Sequence, residues 1–252
     1  MIVRTVKTEK ILLKKQNIFK ILDKYIKKLS EGSVLAITSK IISICEGRFI
    51  DINKANKQDL IEKQSEFFLP SSESKYDITL TIKNNLLVPT AGIDESNAQD
   101  HFILWPKDPQ DTVNKIREYL RGKFNLKKFG VIITDSKTSP LRWGVTGIAI
   151  AHSGFCALNN YIGKPDIFGR QLKVTKSNIM DGLAVSSVLA MGEGEEQTPM
   201  AIINDLPFVK FQSRNPTKKP SAWTTSMPSP AISPAIRPRV RNWWCRCCAA
   251  MN

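Results

Sequence analysis

Three polar segments of this 252-residue chain carry residue types that hold hard cations and phosphates. Residues 91–97 read AGIDESN, residues 134–136 read TDS directly after an apolar run, and residues 191–198 read MGEGEEQT. They offer Asp94, Asp135 with the Ser136 hydroxyl, and Glu193. Mg²⁺ and Mn²⁺ prefer such oxygens, taking few protein ligands and completing their shells with phosphate and water. Gly192 and Gly194 let backbone N–H groups approach phosphates closely. Each segment alone reads better as a structural turn than as a site. Three together, with complementary ligand chemistry, point to a metal–nucleotide site. No GxxxxGK[ST] loop, GxGxxG loop or kinase-like set accompanies them. His101 and His152 have no second His or Cys at ligand spacing, which argues against zinc. Ser43 and Ser153 lack a GxSxG elbow, so a hydrolase triad is not supported.

These segments need elements to place them. Ile2–Val6 reads as a strand, and Asn17 caps an amphipathic helix whose stripe is Ile18, Ile21, Leu22, Tyr25, Ile26 and Leu29. Residues 33–38 (SVLAIT) and 129–134 (FGVIIT) are buried strands, and the three polar segments are expected on loops beside such elements. Helical patterns cover residues 59–68, 109–124 and 178–191; strand patterns cover 77–82, 86–89, 200–203 and 208–211, and residues 145–151 are apolar and small. Interleaved helices and strands make the class mixed α and β.

Apolar residues make up 42% and charged residues 24%, ordinary for a globular protein. No run reaches the length of a membrane helix and the N-terminus has no apolar signal core, so a cytoplasmic protein is expected. The net charge of +14 resembles a nucleic-acid footprint until it is divided. Seven basic residues and no acid lie from Arg214 onward, leaving 30 basic and 23 acidic residues before it. That mild excess suits a polyanionic small molecule as well as RNA. A basic nucleic-acid-binding protein without catalysis stays as the rival from another class, although no nucleic-acid motif supports it.

After Lys219 the composition changes: Lys disappears, and Pro, Arg, Trp and Cys dominate. Two segments are therefore expected, a domain over 1–219 and an aberrant tail over 220–252, the latter disordered or out of the natural frame. Cys245, Cys247 and Cys248 have no His near them, so a metal site is not expected there.

AGIDESN at 91–97, VIITDS at 131–136, RWGVTG at 142–147, FGR at 168–170 and MGEG at 191–194 occur in the order they have in the coenzyme F420-0:γ-glutamyl ligase family. The wording around them resembles most closely a bacterial branch described as folate metabolism γ-glutamate ligase. The resemblance spans roughly residues 2 to 219. It implies an α+β fold particular to that family, neither P-loop nor ATP-grasp, and a homodimer. It implies a ligase that uses GTP and two divalent cations, Mg²⁺ or Mn²⁺, to join L-glutamate through an amide. Carried over by motif, Asp94 and Asp135 bind the first metal, and Ser136 and Glu193 help bind the second. Ser39, Lys40, Asn97 and the stretch Met191, Gly192, Glu193, Gly194, Glu195, Glu196, Gln197 and Thr198 contact the nucleotide. Ile44 stands where the coenzyme ligases commonly carry a Lys, so either Lys40 supplies that charge or the nucleotide is held differently, and GTP and ATP both stay open. The expected acceptor is folate-type, with the deazaflavin coenzyme F420-0 as the alternative. Arg142 and Arg170 are candidate clamps for a substrate carboxylate, or else structural ion-pair partners.

Overall fold

The computed structural model describes residues 1–73, 78–139 and 142–216; the expected tail over 220–252 lies outside the described residues. The elements follow in the order β1 (Ile2–Val6), α1 (Ile18–Tyr25), β2 (Ser33–Thr38), α2 (Ser39–Glu46), β3 (Phe49–Asp51), α3 (Lys57–Gln64), β4 (Phe67–Leu69), β5 (Leu80–Lys83), β6 (Leu86–Pro89), β7 (His101–Ile103), α4 (Pro109–Phe124), β8 (Phe129–Thr138), β9 (Val145–Ser153), β10 (Leu158–Asn160), β11 (Lys176–Asn178), α5 (Ile179–Met191) and β12 (Met200–Asn204). This is an α+β fold, as expected.

Its frame is a five-stranded sheet in the order β1-β12-β2-β8-β9. Only β2 and β8 run parallel, pairing Ser33 with Phe129 through Thr38 with Thr134. Both faces of this central pair are covered, which is why its sequences are continuously apolar. Leu35, Ile37, Val131 and Ile133 pack with residues of α1, α2 and α4. Val34 and Ile132, one residue out of phase, pack with Met180, Leu183 and Ala184 of α5 on the opposite face. Gly147 of β9 lets α5 come close: a Cβ there would stand 2.6 Å from the Ala184 carbonyl oxygen.

The helices begin where their caps place them. Asn17 accepts from the Phe19 amide, Asp108 from Asp111, and Asn178 from Asp181. Three expectations shift. The first helix stops at Tyr25, although Ile26 and Leu29 are still buried. Expected helix 59–68 ends at Gln64 and turns into β4, because Phe67 and Phe68 pair with β5. Residues 208–211 form no strand; Phe211 makes only an isolated bridge to Phe155. Among the described residues, no helix is long and apolar enough to cross a membrane.

Candidate active site

The parallel pair delivers two functional segments side by side. Thr38 ends β2 and starts α2, which puts Ser39 and Lys40 at that helix's first turn. Beside it β8 carries Asp135 and Ser136. These residues are not on a loop, as their sequence position suggests: β8 continues to Thr138, paired with β9, and a register irregularity at Ile133/Thr134 marks the change. The third segment follows α5 and returns into β12, tied to the sheet by Thr38 N donating to Pro199 O at 3.0 Å and Thr8 N to Gln197 O at 2.8 Å.

The 91–97 segment comes from the small sheet β4-β5-β6 and is folded back by an antiparallel bridge between Asp94 and Ile103. Its backbone is strained. Thr90, Ala91, Asn97, Gln99 and Asp100 all have φ between 45° and 57°, a region costly for side chains with a Cβ and common at ligand sites.

One cavity of about 440 Å³ receives all of these segments: Ser39, Lys40, Asp94, Asn97, Asp135, Ser136 and residues 191–199 line it. Lys40 Nζ stands 2.7 Å from Asp94 Oδ2 and donates to Ser96 O at 2.8 Å and Ser96 Oγ at 3.0 Å. The Asp94 Oδ1 atom accepts from Ser96 N at 2.7 Å. Burial opposes ionisation of Asp94, but Lys40 and Ser96 outweigh it and hold the carboxyl below the usual carboxylate range. Asp135 differs. Burial pushes it up to about 6, and the hydrogen bonds it accepts from the Trp105 indole and the Ser136 amide offset only part of this. The Asp94 charge adds to the rise, so the two carboxylates feel each other across the cavity. Burial likewise raises Glu193, which accepts from Ser136 Oγ at 3.2 Å.

Asn97 Nδ2 donates to Gly194 O at 3.1 Å, pinning the 91–97 segment to the glycine-rich turn. In that turn Gly194 N donates to Glu196 Oε2 at 2.8 Å, so its amide already faces an anion. Thr198 Oγ1 donates to Met191 O and closes the loop.

Among the described residues, no three His, Cys, Asp or Glu side chains form a ready-made metal cage. The donor set nonetheless fits a hard cation. Asp94, Asp135, Glu193 and the Ser136 hydroxyl are all oxygens on one cavity, and a raised carboxylate such as Asp135 gains most from a cation beside it.

The two arginines are elsewhere. Neither Arg142 nor Arg170 lines the cavity; both are exposed, and neither makes an ion pair among the described residues. Arg142 follows the end of β8, beyond the site. Arg170 lies in the long hairpin between β10 and β11, where it bonds through its backbone to Asp166. Sequence reasoning missed the stretch from Thr8 to Leu13, of which Thr8, Glu9, Lys10, Ile11 and Leu13 line the same cavity. It also missed Trp105, which sits in an ordinary apolar-looking run. His152 is a buried core residue, pushed down by burial to about 4, and Cys45 a buried thiol pushed up to about 12.

The family model described as F420-0:Gamma-glutamyl ligase matches residues 6–205. The coenzyme F420:L-glutamate ligase of Methanocaldococcus jannaschii is 33% identical over 204 residues, 74% of this chain and 82% of that one. Its namesake in Methanopyrus kandleri is 34% identical over 194 residues, 71% of this chain and 77% of the other. That of Archaeoglobus fulgidus is 32% identical over 194 residues, covering 71% and 78%. The match includes every segment of the cavity, and the chain belongs to the F420-0:γ-glutamyl ligase family of enzymes.

Proposed function

We propose that the cavity binds a nucleoside triphosphate with divalent cations and joins L-glutamate to the carboxylate of an F420-0-type acceptor. One observation carries the reading: four segments distant in sequence bring Lys40, Asp94, Asn97, Asp135, Ser136 and the 191–198 turn to a single cavity. Of the two acceptors the motifs point to, the names of the relatives favour the deazaflavin over the folate-type one.

Amide formation from a free carboxylate needs activation. Transfer of the γ-phosphoryl group to the acceptor carboxylate releases nucleoside diphosphate and gives an acyl phosphate. The glutamate amine then attacks the acyl carbon, the C–N bond forms, and phosphate leaves. Divalent cations held by Asp94, Asp135, Ser136 and Glu193 would neutralise the β- and γ-phosphate oxygens during this transfer. Lys40 and the amides of the 192–194 turn orient the phosphates, Lys40 by exchanging its contact with Asp94 for one with phosphate. Ser39 and Asn97 complete the nucleotide contacts, Asn97 by fixing the turn's position against the Asp94 segment.

The resemblance to dimeric ligases finds support in exposed apolar side chains. Ile167 and Phe168, in the hairpin between β10 and β11, are 92% and 88% exposed. Side chains of that size and exposure are suited to a second copy of the chain.

The test is direct. The protein is incubated with L-glutamate, Mg²⁺ or Mn²⁺, and GTP or ATP, with F420-0 in one arm and dihydrofolate in another, and products are read by mass spectrometry. A glutamylated F420-0 is expected. Product only in the folate arm reassigns the acceptor, and no product or phosphate release in any arm overturns the reading.

A further inference from the structure

Trp105 follows β7, outside the motifs that mark the cavity, and is only 2% exposed. Its indole Nε1–H donates to Asp135 Oδ2. The same ring lies flush on the backbone of Gly92, where a Cβ would come within 2.2 Å of Nε1 and 2.3 Å of Cε2. Gly92 is two residues before Asp94. One side chain therefore touches two of the three segments that supply the acidic residues, one through a polar atom and the other through its face.

Trp105 is itself held by two cations. Arg48 Nε donates to the Trp105 carbonyl at 3.1 Å, and Arg48 Nη2 to Gln64 Oε1 at 3.0 Å. Lys83 Nζ, 5.3 Å from the centre of the ring, donates to the carbonyl of Ala91, next to Gly92, at 3.2 Å. Lys83 thus braces the indole and the strained turn together, and Arg48 holds the backbone that carries the ring. A purely apolar core position would be filled by Phe; this one turns a polar atom onto a carboxylate.

We propose that Trp105 is a positioning residue for the ligase reaction, fixing the orientation of the Asp135 carboxylate and its placement relative to Asp94. With Oδ2 taken by the indole and Oδ1 by the Ser136 amide, the carboxylate plane is set and one lone-pair direction of each oxygen is left for the cavity. Outer partners that orient a ligating carboxylate typically change metal affinity or activity by roughly 10- to 100-fold when removed. The inference rests on the metal-dependent ligase reading.

The test is Trp105→Phe, which keeps an aromatic ring over Gly92 and deletes the donor. Mn²⁺ binding in the presence of GDP is followed by electron paramagnetic resonance, alongside kcat, the acceptor KM and the melting temperature. Mn²⁺ affinity and kcat are both expected to fall roughly 10- to 100-fold with the acceptor KM unchanged. Values within twofold of the wild type, with only the melting temperature lowered, would show that Trp105 is filler and overturn the inference. Wild-type protein that binds no Mn²⁺ overturns the metal reading and this inference with it. Should Trp105→Phe fail to fold, benzothienylalanine at position 105 replaces the N–H by sulfur in a ring of the same shape, with the same two outcomes deciding.

Discussion

Asp135→Asn separates what the site costs the fold from what it does for the reaction. The carboxyl is raised from 3.8 to about 6 by burial, so the ionised form is disfavoured in the folded protein. A shift of that size corresponds to about 3 kcal/mol at 1.36 kcal/mol per unit. The face open to the cavity screens part of it, and about 2 kcal/mol is what a neutral side chain recovers. Asparagine can present its oxygen to the Trp105 indole but then turns N–H towards the Ser136 amide, losing a hydrogen bond worth about 1 kcal/mol. The net gain of about 1 kcal/mol raises the melting temperature by about 2–4 °C for a domain of this size. The pH dependence has a defined sign. A raised carboxyl contributes stability that is present below the unfolded value of 3.8 and lost as pH rises through about 6. The variant's advantage should therefore be absent near pH 4 and full above pH 7. The assay is a pair of thermal melts with chelator present, at pH 4.5 and pH 7.5, together with ligase turnover in Mg²⁺. Turnover should fall roughly 100-fold or more. A gap between the two proteins that does not change with pH would refute the burial argument, and retained turnover would reduce Asp135 to a structural strand residue.

Removing divalent ions with a chelator should abolish turnover, and Mg²⁺ or Mn²⁺ should restore it; full activity without them contradicts the donor-set argument. Lys40→Met removes the cation 2.7 Å from Asp94, and the nucleotide KM should rise about tenfold or more with a smaller change in kcat, the worth of one charge-assisted hydrogen bond. An unchanged nucleotide KM would place Lys40 as a partner of Asp94 alone. A chain ending at Lys219 should be at least as soluble as the full chain, since residues 220–252 add Arg, Trp and Cys without a single acid; loss of an activity that the full chain shows would make the tail functional.

What the amino-acid sequence discloses depends on whether a residue's job is local. Caps are local, and Asn17, Asp108 and Asn178 start their helices where their types say they should. The buried runs 33–38 and 129–134 are legible as strands because both faces of the central sheet are covered. Asp94, Asp135, Ser136 and Glu193 are legible because polar side chains beside apolar runs are conspicuous, and the cavity does collect them. The failures are non-local. The end of β8 looks like a strand end because Asp135 and Ser136 are polar, yet β9 pairs with it as far as Thr138. Arg142 and Arg170 have the right chemistry for a clamp, but nothing in composition says that the intervening chain carries them away from the cavity. Trp105 is the instructive case. Within HFILWP its type signals only burial, and its second role depends on a carboxylate 30 residues further on. The one trace of it is a glycine: Gly92 sits in a turn where Thr90 and Ala91 tolerate positive φ with side chains, so conformational freedom alone does not demand glycine there. The missing Cβ makes room for the indole. A glycine flanked by residues that bear the same strain is thus evidence of a neighbour pressed against it, and here that neighbour couples Asp94's segment to Asp135.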